Sequence, residues 1–329
     1  ILKNYKSIQG ALHGFMEGKI QKKIAYLMLT VFFISVLSGC ERKHEAYVSA
    51  STTIRDNTPV CLVPEASGTV VYGNELVSVD ASNTGEGYVM IAYHGTNEKV
   101  KMQLTGPDYM TYTYDLYGND YEAFPLSVGG GTYSIGVYEN VADSQYATVF
   151  AQDIEVEITS AMGAFLYPNQ YVNFTPESQA STLALSMVTK DTTDVKALEL
   201  IYNYVTENLT YDYEKADTVQ TGYLPDVDET LASGTGICFD YAALATAMLR
   251  SCDIPCKLQI GYAGDIKHAW IDVYIRSKGW IDNAISFKGD SWSLMDPTFA
   301  SADSDSEEDK EAIQDYIGDA DNYTVQFTR

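Results

Sequence analysis

Short runs of alternating apolar and polar residues fill the chain from about residue 59 to 160, and helical spacing takes over after that. In "DIEVEI", Ile154, Val156 and Ile158 alternate with Glu155 and Glu157, which predicts a strand with one buried and one wet face. "YVMIAY", "KVKMQLTG", "TYTYDLYG" and "GGGTYSIGVYE" read as further strands, separated by Gly, Asn and Asp. In "TTDVKALELIYNYVTENLTYD", Val195, Leu198, Tyr202, Val205 and Leu209 fall at helical spacing, so a helix with one inward face is predicted. "DETLASGTG" predicts a short helical turn running into glycines. "GTGICFDYAALATAMLR", Gly234–Arg250, predicts a helix of small and apolar residues whose end is enforced by Pro255. "CKLQIGYA", "HAWIDVYIR", "GWIDNAISF" and "SWSLMDPTFA" predict β segments. The tail from Ser301 reads as an acidic run, a helix and a last strand. Its carboxylates fit no calcium loop and are a solvated charged face.

At 329 residues the chain has room for two domains with real cores. The pattern predicts an immunoglobulin-like β-sandwich over 59–160, followed by an α+β domain over 161–329. The formal charge of −24 argues against nucleic-acid binding, since phosphate contact needs a basic face. Near the N-terminus, Met16 is followed by "EGKIQKK" and then by the 14-residue apolar run Ile24 to Leu37. That run is short for a bilayer span and right for a signal peptide. It ends in "LSGC", Leu37 to Cys40, which resembles the lipobox of bacterial lipoproteins. The resemblance implies lipidation of Cys40 and anchoring to the outer face of a bacterial cell membrane. On this reading 1–39 is upstream sequence and signal peptide, with its start at Met16, and 40–58 is a polar tether. The rival readings are an ordinary signal peptide and a short membrane anchor.

Four cysteines remain. Cys61, Cys238, Cys252 and Cys256 are too scattered for a disulfide framework, and "CDIPC" lacks the partners of a zinc site. Cys252 and Cys256 either bridge locally or are buried free thiols, the blander choice. Cys238 differs, because it follows Gly-Thr-Gly and falls in the first turn of a predicted helix. Free N–H groups and the helix dipole there favour a thiolate and suit an oxyanion. A nucleophilic thiol also needs a base and a group to orient it. His13 precedes the mature chain, His44 lies in the tether and His94 in the β domain, where a surface or strand position is expected. This leaves His268. Strict alternation with Ala269, Ile271, Val273 and Ile275 sets His268 on the opposite face, so its placement requires the mouth of the strand. Asp272 shares that strand and is too far along it to orient the ring. Asp282 and Asp296 both stay open as the acid.

"GTGICFDYAALATAMLRSCDIPCKLQIGYAG", "HAWIDVYI" and "LMDPTFA", in that order, resemble the core of the transglutaminase-like superfamily. The resemblance covers about residues 195–300. It implies a papain-like fold with Cys238 as nucleophile, His268 as general base and Asp296, in "DPT", as the orienting acid. Relatives often supply an oxyanion donor upstream of the cysteine. No residue here matches it, with Tyr211 and Tyr213 the nearest candidates. The activity implied is that of a cell-surface thiol amidase or peptidase acting on peptide or glutamine amides, without a cofactor. Cross-linking transamidation and a non-catalytic binding lipoprotein are the alternatives. The partners implied are a protein or peptide substrate and, through Cys40, the membrane.

Overall fold

The computed structural model describes residues 60–281 and 323–329. The first eight strands are β1 (Val71–Gly73), β2 (Val77–Asp80), β3 (Tyr88–Tyr93), β4 (Val100–Thr105), β5 (Thr111–Asp115), β6 (Glu122–Pro125), β7 (Gly131–Ala142) and β8 (Gln145–Val156). They form two four-stranded antiparallel sheets, ordered β1-β2-β3-β6 and β5-β4-β7-β8. The sheets share one core, in which Val79, Ile91 and Phe124 of the first meet Met102, Leu104, Tyr114 and Ile135 of the second. The run "YVMIAY" is apolar throughout because β3 is buried on both faces. Val89, Ile91 and Tyr93 enter that core, while Tyr88 and Met90 pack with Ala123 on the other side. The alternation in "DIEVEI" holds, with Ile154 and Val156 buried and both glutamates exposed. His94 is exposed just past β3.

The second half begins with α1 (Gln179–Met187) and α2 (Asp194–Asn208). Then come β9 (Thr210–Tyr211), α3 (Tyr213–Thr218), α4 (Val227–Ser233), β10 (Thr235–Gly236) and α5 (Cys238–Ser251). The chain continues through β11 (Cys256–Ala263), β12 (Ile266–Ile275) and β13 (Gly279–Ile281) to β14 (Tyr323–Thr328). These last four strands form an antiparallel sheet in the order β13-β12-β11-β14. Helix α5 is the axis of this half. From Asp240 to Ser251 every residue is buried, and its apolar side chains share a core with α1, α2, β11 and β12. The many alanines of "YAALATAML" let these neighbours approach closely.

Two predicted details shift. The inward line of α2 runs through Ala197, Leu198, Ile201 and Val205, with Val195 and Tyr202 at its half-buried flanks. Helix α5 is stopped before Pro255 is reached, by Asp253 in the left-handed region at φ 58°. The Ile254 N–H donates to Leu249 O at 3.0 Å and the Asp253 N–H to Arg250 O at 3.0 Å, the paired bonds of a Schellman turn. Cys252 and Cys256 are buried thiols that form no disulfide.

Arg250 starts a relay that joins the halves through Arg329. It is fully buried, and its guanidinium donates to Cys256 O (3.0 and 2.8 Å), Tyr167 O (2.7 Å) and Arg329 O (2.9 Å). The Arg329 side chain in turn is enclosed by Tyr112, Tyr114 and Tyr171, at 4.4, 4.9 and 4.6 Å from their ring centres. Strand β14 also leaves no room on β11, where a Cβ built on Gly261 would lie 2.0 Å from Thr324 O. Gly261→Ala is therefore expected to cost about 1–3 kcal/mol of stability by forcing β14 outward. An unchanged urea midpoint would refute this.

Candidate active site

Cys238 is the first residue of α5, half-buried and free of any disulfide. The turn that delivers it is built in three steps. Helix α4 ends at Gly234, in the left-handed region at φ 64°. Thr235 and Gly236 then pair in parallel with Thr210 and Tyr211, where the Thr210 N–H donates to Gly234 O at 2.8 Å and the Asp212 N–H to Gly236 O at 2.9 Å. Finally Ile237 caps the helix in extended conformation, and its N–H donates to Asp240 Oδ2 at 2.8 Å. Gly236 is needed here for space, since a Cβ on it would meet Asp240 Cβ at 2.6 Å.

Asp240 is a charge inside an apolar helix, and its burial is complete. Its carboxylate is compensated from three sides. Besides Ile237 N–H, the Tyr223 hydroxyl donates to Oδ1 at 2.5 Å and the Lys215 ammonium lies 2.8 Å from Oδ2. The same ammonium sits 4.6 Å from the Tyr223 ring centre. Burial works against the Lys215 ammonium, but its bonds to Asp240 and Tyr223 outweigh this and raise its pKa. Burial, and then the bond to Asp240, push the Tyr223 hydroxyl up to about 12. The sequence reading passed over this network. Its signal was an acid two residues past Cys238, at the head of a run of small apolar residues, which a buried helix tolerates only when paired. Asp240→Ala leaves the Lys215 ammonium and the Ile237 N–H unpaired, with an expected cost of about 3 kcal/mol. Chemical denaturation checks this, and a loss under 1 kcal/mol would mean that the network does not hold the turn.

His268 lies on β12, directly opposite Gly261 of β11, and is 6% exposed. Ala269, Ile271, Val273 and Ile275 point into the core shared with α5. His268 and Trp270 share the other face, their rings near-parallel at 6.4 Å, with Tyr323 6.3 Å from the imidazole. The alternation noted in the sequence is therefore real, and His268 is the third residue of its strand. Cys238 and His268 belong to elements packed on one core. Asp282, Asp296 and Cys40 lie outside the described residues. Asp272 is buried and accepts from Gln259 Nε2 at 2.5 Å, so its carboxylate is engaged within the sheet. Tyr211 pairs with Gly236, two residues before Cys238, and packs edge-on to Tyr213 at 4.9 Å. Tyr213 itself is exposed.

Residues 181–285, which include the helix headed by Cys238 and the strand that bears His268, match the model of the transglutaminase-like superfamily. These residues are a transglutaminase-like domain. The domain spans α1 to β13 and so includes both Cys238 and His268. Comparison with curated protein sequences returns no match. Among solved structures, a proposed cysteine protease from Cytophaga hutchinsonii is similar at 14% identity and a TM-score of 0.35, over 79% of this chain and 73% of that one. A proposed protease from Parabacteroides distasonis aligns at 14% identity and a TM-score of 0.28, over 68% of this chain and 66% of that one. Red sea bream transglutaminase aligns at 13% identity and a TM-score of 0.23, and this chain covers 48% of its length.

Proposed function

We propose that the transglutaminase-like domain is a thiol acyl-transfer enzyme that cleaves peptide or glutamine side-chain amides. The observation that carries this reading is the placement of Cys238 at the open end of a buried helix. The turn before it is locked by Asp240, and His268 is carried on β12, whose core face packs on the same helix. The Cys238 sulfur attacks the amide carbon, and its proton passes to the His268 imidazole. The oxyanion that forms is met by N–H groups of the first turn of α5, which have no acceptor within the helix. The C–N bond then breaks as His268 returns the proton to the leaving nitrogen, and the acyl group remains as a thioester. Water, deprotonated by the same imidazole, releases a carboxylic acid; a primary amine releases a new amide instead. Asp296 has the role of orienting His268. Hydrolysis is the favoured outcome, because no sequence feature marks a hydrophobic tunnel for an amine. The upstream sheets act as an immunoglobulin-like sandwich, and a lipid on Cys40 holds the enzyme at the outer face of the cell membrane.

The test incubates the full chain with a glutamine-containing peptide library, with and without a primary amine, and reads products by mass spectrometry against Cys238→Ala. Products that depend on Cys238 support the reading, and the amine arm separates hydrolysis from transamidation. Absence of any Cys238-dependent product would leave a binding lipoprotein. Thiol labelling gives an independent check. Cys256 is fully buried, and burial pushes its thiol up to about 12. Iodoacetamide at pH 8 is therefore expected to modify Cys238 in the folded protein while sparing Cys256, and to modify both in urea. Equal labelling of the two in the folded state would contradict this.

A further inference from the structure

The face of the last sheet that carries His268 holds an aromatic socket. His268, Trp270 and Tyr323 are all buried. The indole lies near-parallel to the imidazole at 6.4 Å between ring centres, and the Tyr323 ring is tilted to the imidazole at 6.3 Å. Trp270 and Tyr323 meet edge-on at 5.0 Å, so the three rings close a triangle. All three separations fall in the range of attractive aromatic pairs. Gly261 makes the room. It pairs directly with His268 and shares its face, and a Cβ on it would lie 3.0 Å from Trp270 Cη2. The indole therefore leans over the glycine toward β14. Tyr323 reaches the same face from β14, where it pairs with Ala263, two residues past Gly261.

A base that takes a proton from sulfur and returns it to nitrogen must hold its ring within about 10–20° of one orientation. Left to itself, an imidazole spreads over several staggered χ1 wells and a broad χ2. One ring stacked beside it and a second tilted against it restrict both torsions at once. Asp272 shares this face but lies about 13 Å further along the strand and is engaged by Gln259, so it does not set the ring. Trp270 comes from the same strand as His268, two residues on. Tyr323 comes from the far end of the chain and lies outside residues 181–285, so the family match does not extend to it.

We propose that Tyr323 is a positioning residue for His268, fixing the imidazole by closing the socket that Trp270 begins. This role rests on His268 being the base of the acyl-transfer site, but its test requires no turnover. Alkylation of Cys238 by iodoacetamide in the full chain at pH 7 is followed by mass spectrometry, because its rate reads the coupling of thiol to imidazole. Tyr323→Leu keeps much of the volume and is expected to slow alkylation about three- to tenfold. Tyr323→Phe keeps the ring and should stay within about twofold of wild type. Gln326→Ala, exposed on the same strand, should change nothing. Added to His268→Ala, Tyr323→Leu should have no further effect, because it acts through the imidazole. Urea midpoints verify each fold, and Tyr323→Met carries the same expectation should leucine loosen β14. Equal slowing with and without His268 would mean a structural role and overturn the proposal. So would full reactivity in Tyr323→Leu, or no rescue by phenylalanine. If His268→Ala itself reacts like wild type, the acyl-transfer reading falls. Slowing by His268→Ala without slowing by Tyr323→Leu removes only the role of Tyr323.

Discussion

Cys238→Ala is expected to lower amide turnover by a factor on the order of 10⁴ to 10⁶, with substrate binding little changed. Loss of a covalent nucleophile removes the intermediate itself, so no remaining group can compensate in part. His268→Ala should approach the same loss, because thiol and base act as a unit and their effects do not add. The two variants are separated by labelling, since only His268→Ala retains the Cys238 sulfur. If removing the imidazole leaves Cys238 alkylation unchanged from pH 5 to 9, the base is not coupled to the thiol. The stacking of His268 on Trp270 makes this the most exposed point of the mechanism. Turnover in Cys238→Ala within tenfold of wild type would end the reading.

Arg250→Met should be the most damaging change to stability, costing about 3–5 kcal/mol. Methionine fills much of the space, so the loss is not mainly a cavity. The cost comes from the carbonyls of Cys256, Tyr167 and Arg329, which lose a shared donor in a place water does not reach. Burial already presses on the cation, bringing its pKa down to about 10. Arg250→Lys tests the geometry, because one ammonium cannot reproduce a fork that spans three acceptors. Urea denaturation should place the lysine variant nearer to methionine than to wild type. If lysine restores full stability, charge and not the fork is what the junction requires.

Much of this architecture was legible in the chain, for identifiable reasons. Strands β4 and β5 announced themselves because each keeps one periodic pattern from end to end, and β8 did so only through its last residues, where Ile154 and Val156 alternate with exposed neighbours. Helix α5 did so because its small apolar run leaves no face for water. What escaped depends on partners distant in sequence. The parallel pairing of β9 with β10 is two residues long and carries no pattern of its own, yet it sets the turn before Cys238. The short β6 and helix α3 lack the length for a period to show. In α2, Leu198, Val205 and Leu209 face inward as predicted, but Ala197 and Ile201 take the centre of the line, because the half-buried flanks Val195 and Tyr202 also carry apolar residues. Cys238 and His268 were singled out by residue type and order, and they lie on α5 and β12, elements of one core. Asp240 was readable only as an anomaly, because its meaning resides in Lys215 and Tyr223.

Strand β14 gives the molecule a temporal character. Arg250 and Arg329 are 79 residues apart, and Ser127 Oγ meets Thr328 O across 201. Until residues 323–329 arrive, one edge of β11 is an open template for pairing and the Arg250 guanidinium lacks one of its carbonyl acceptors. Contacts of such long span form late and slowly. During synthesis the helix headed by Cys238 is complete well before the sheet beside it is closed. The interval between those two events is when this protein is most open to mispairing with a second copy of itself.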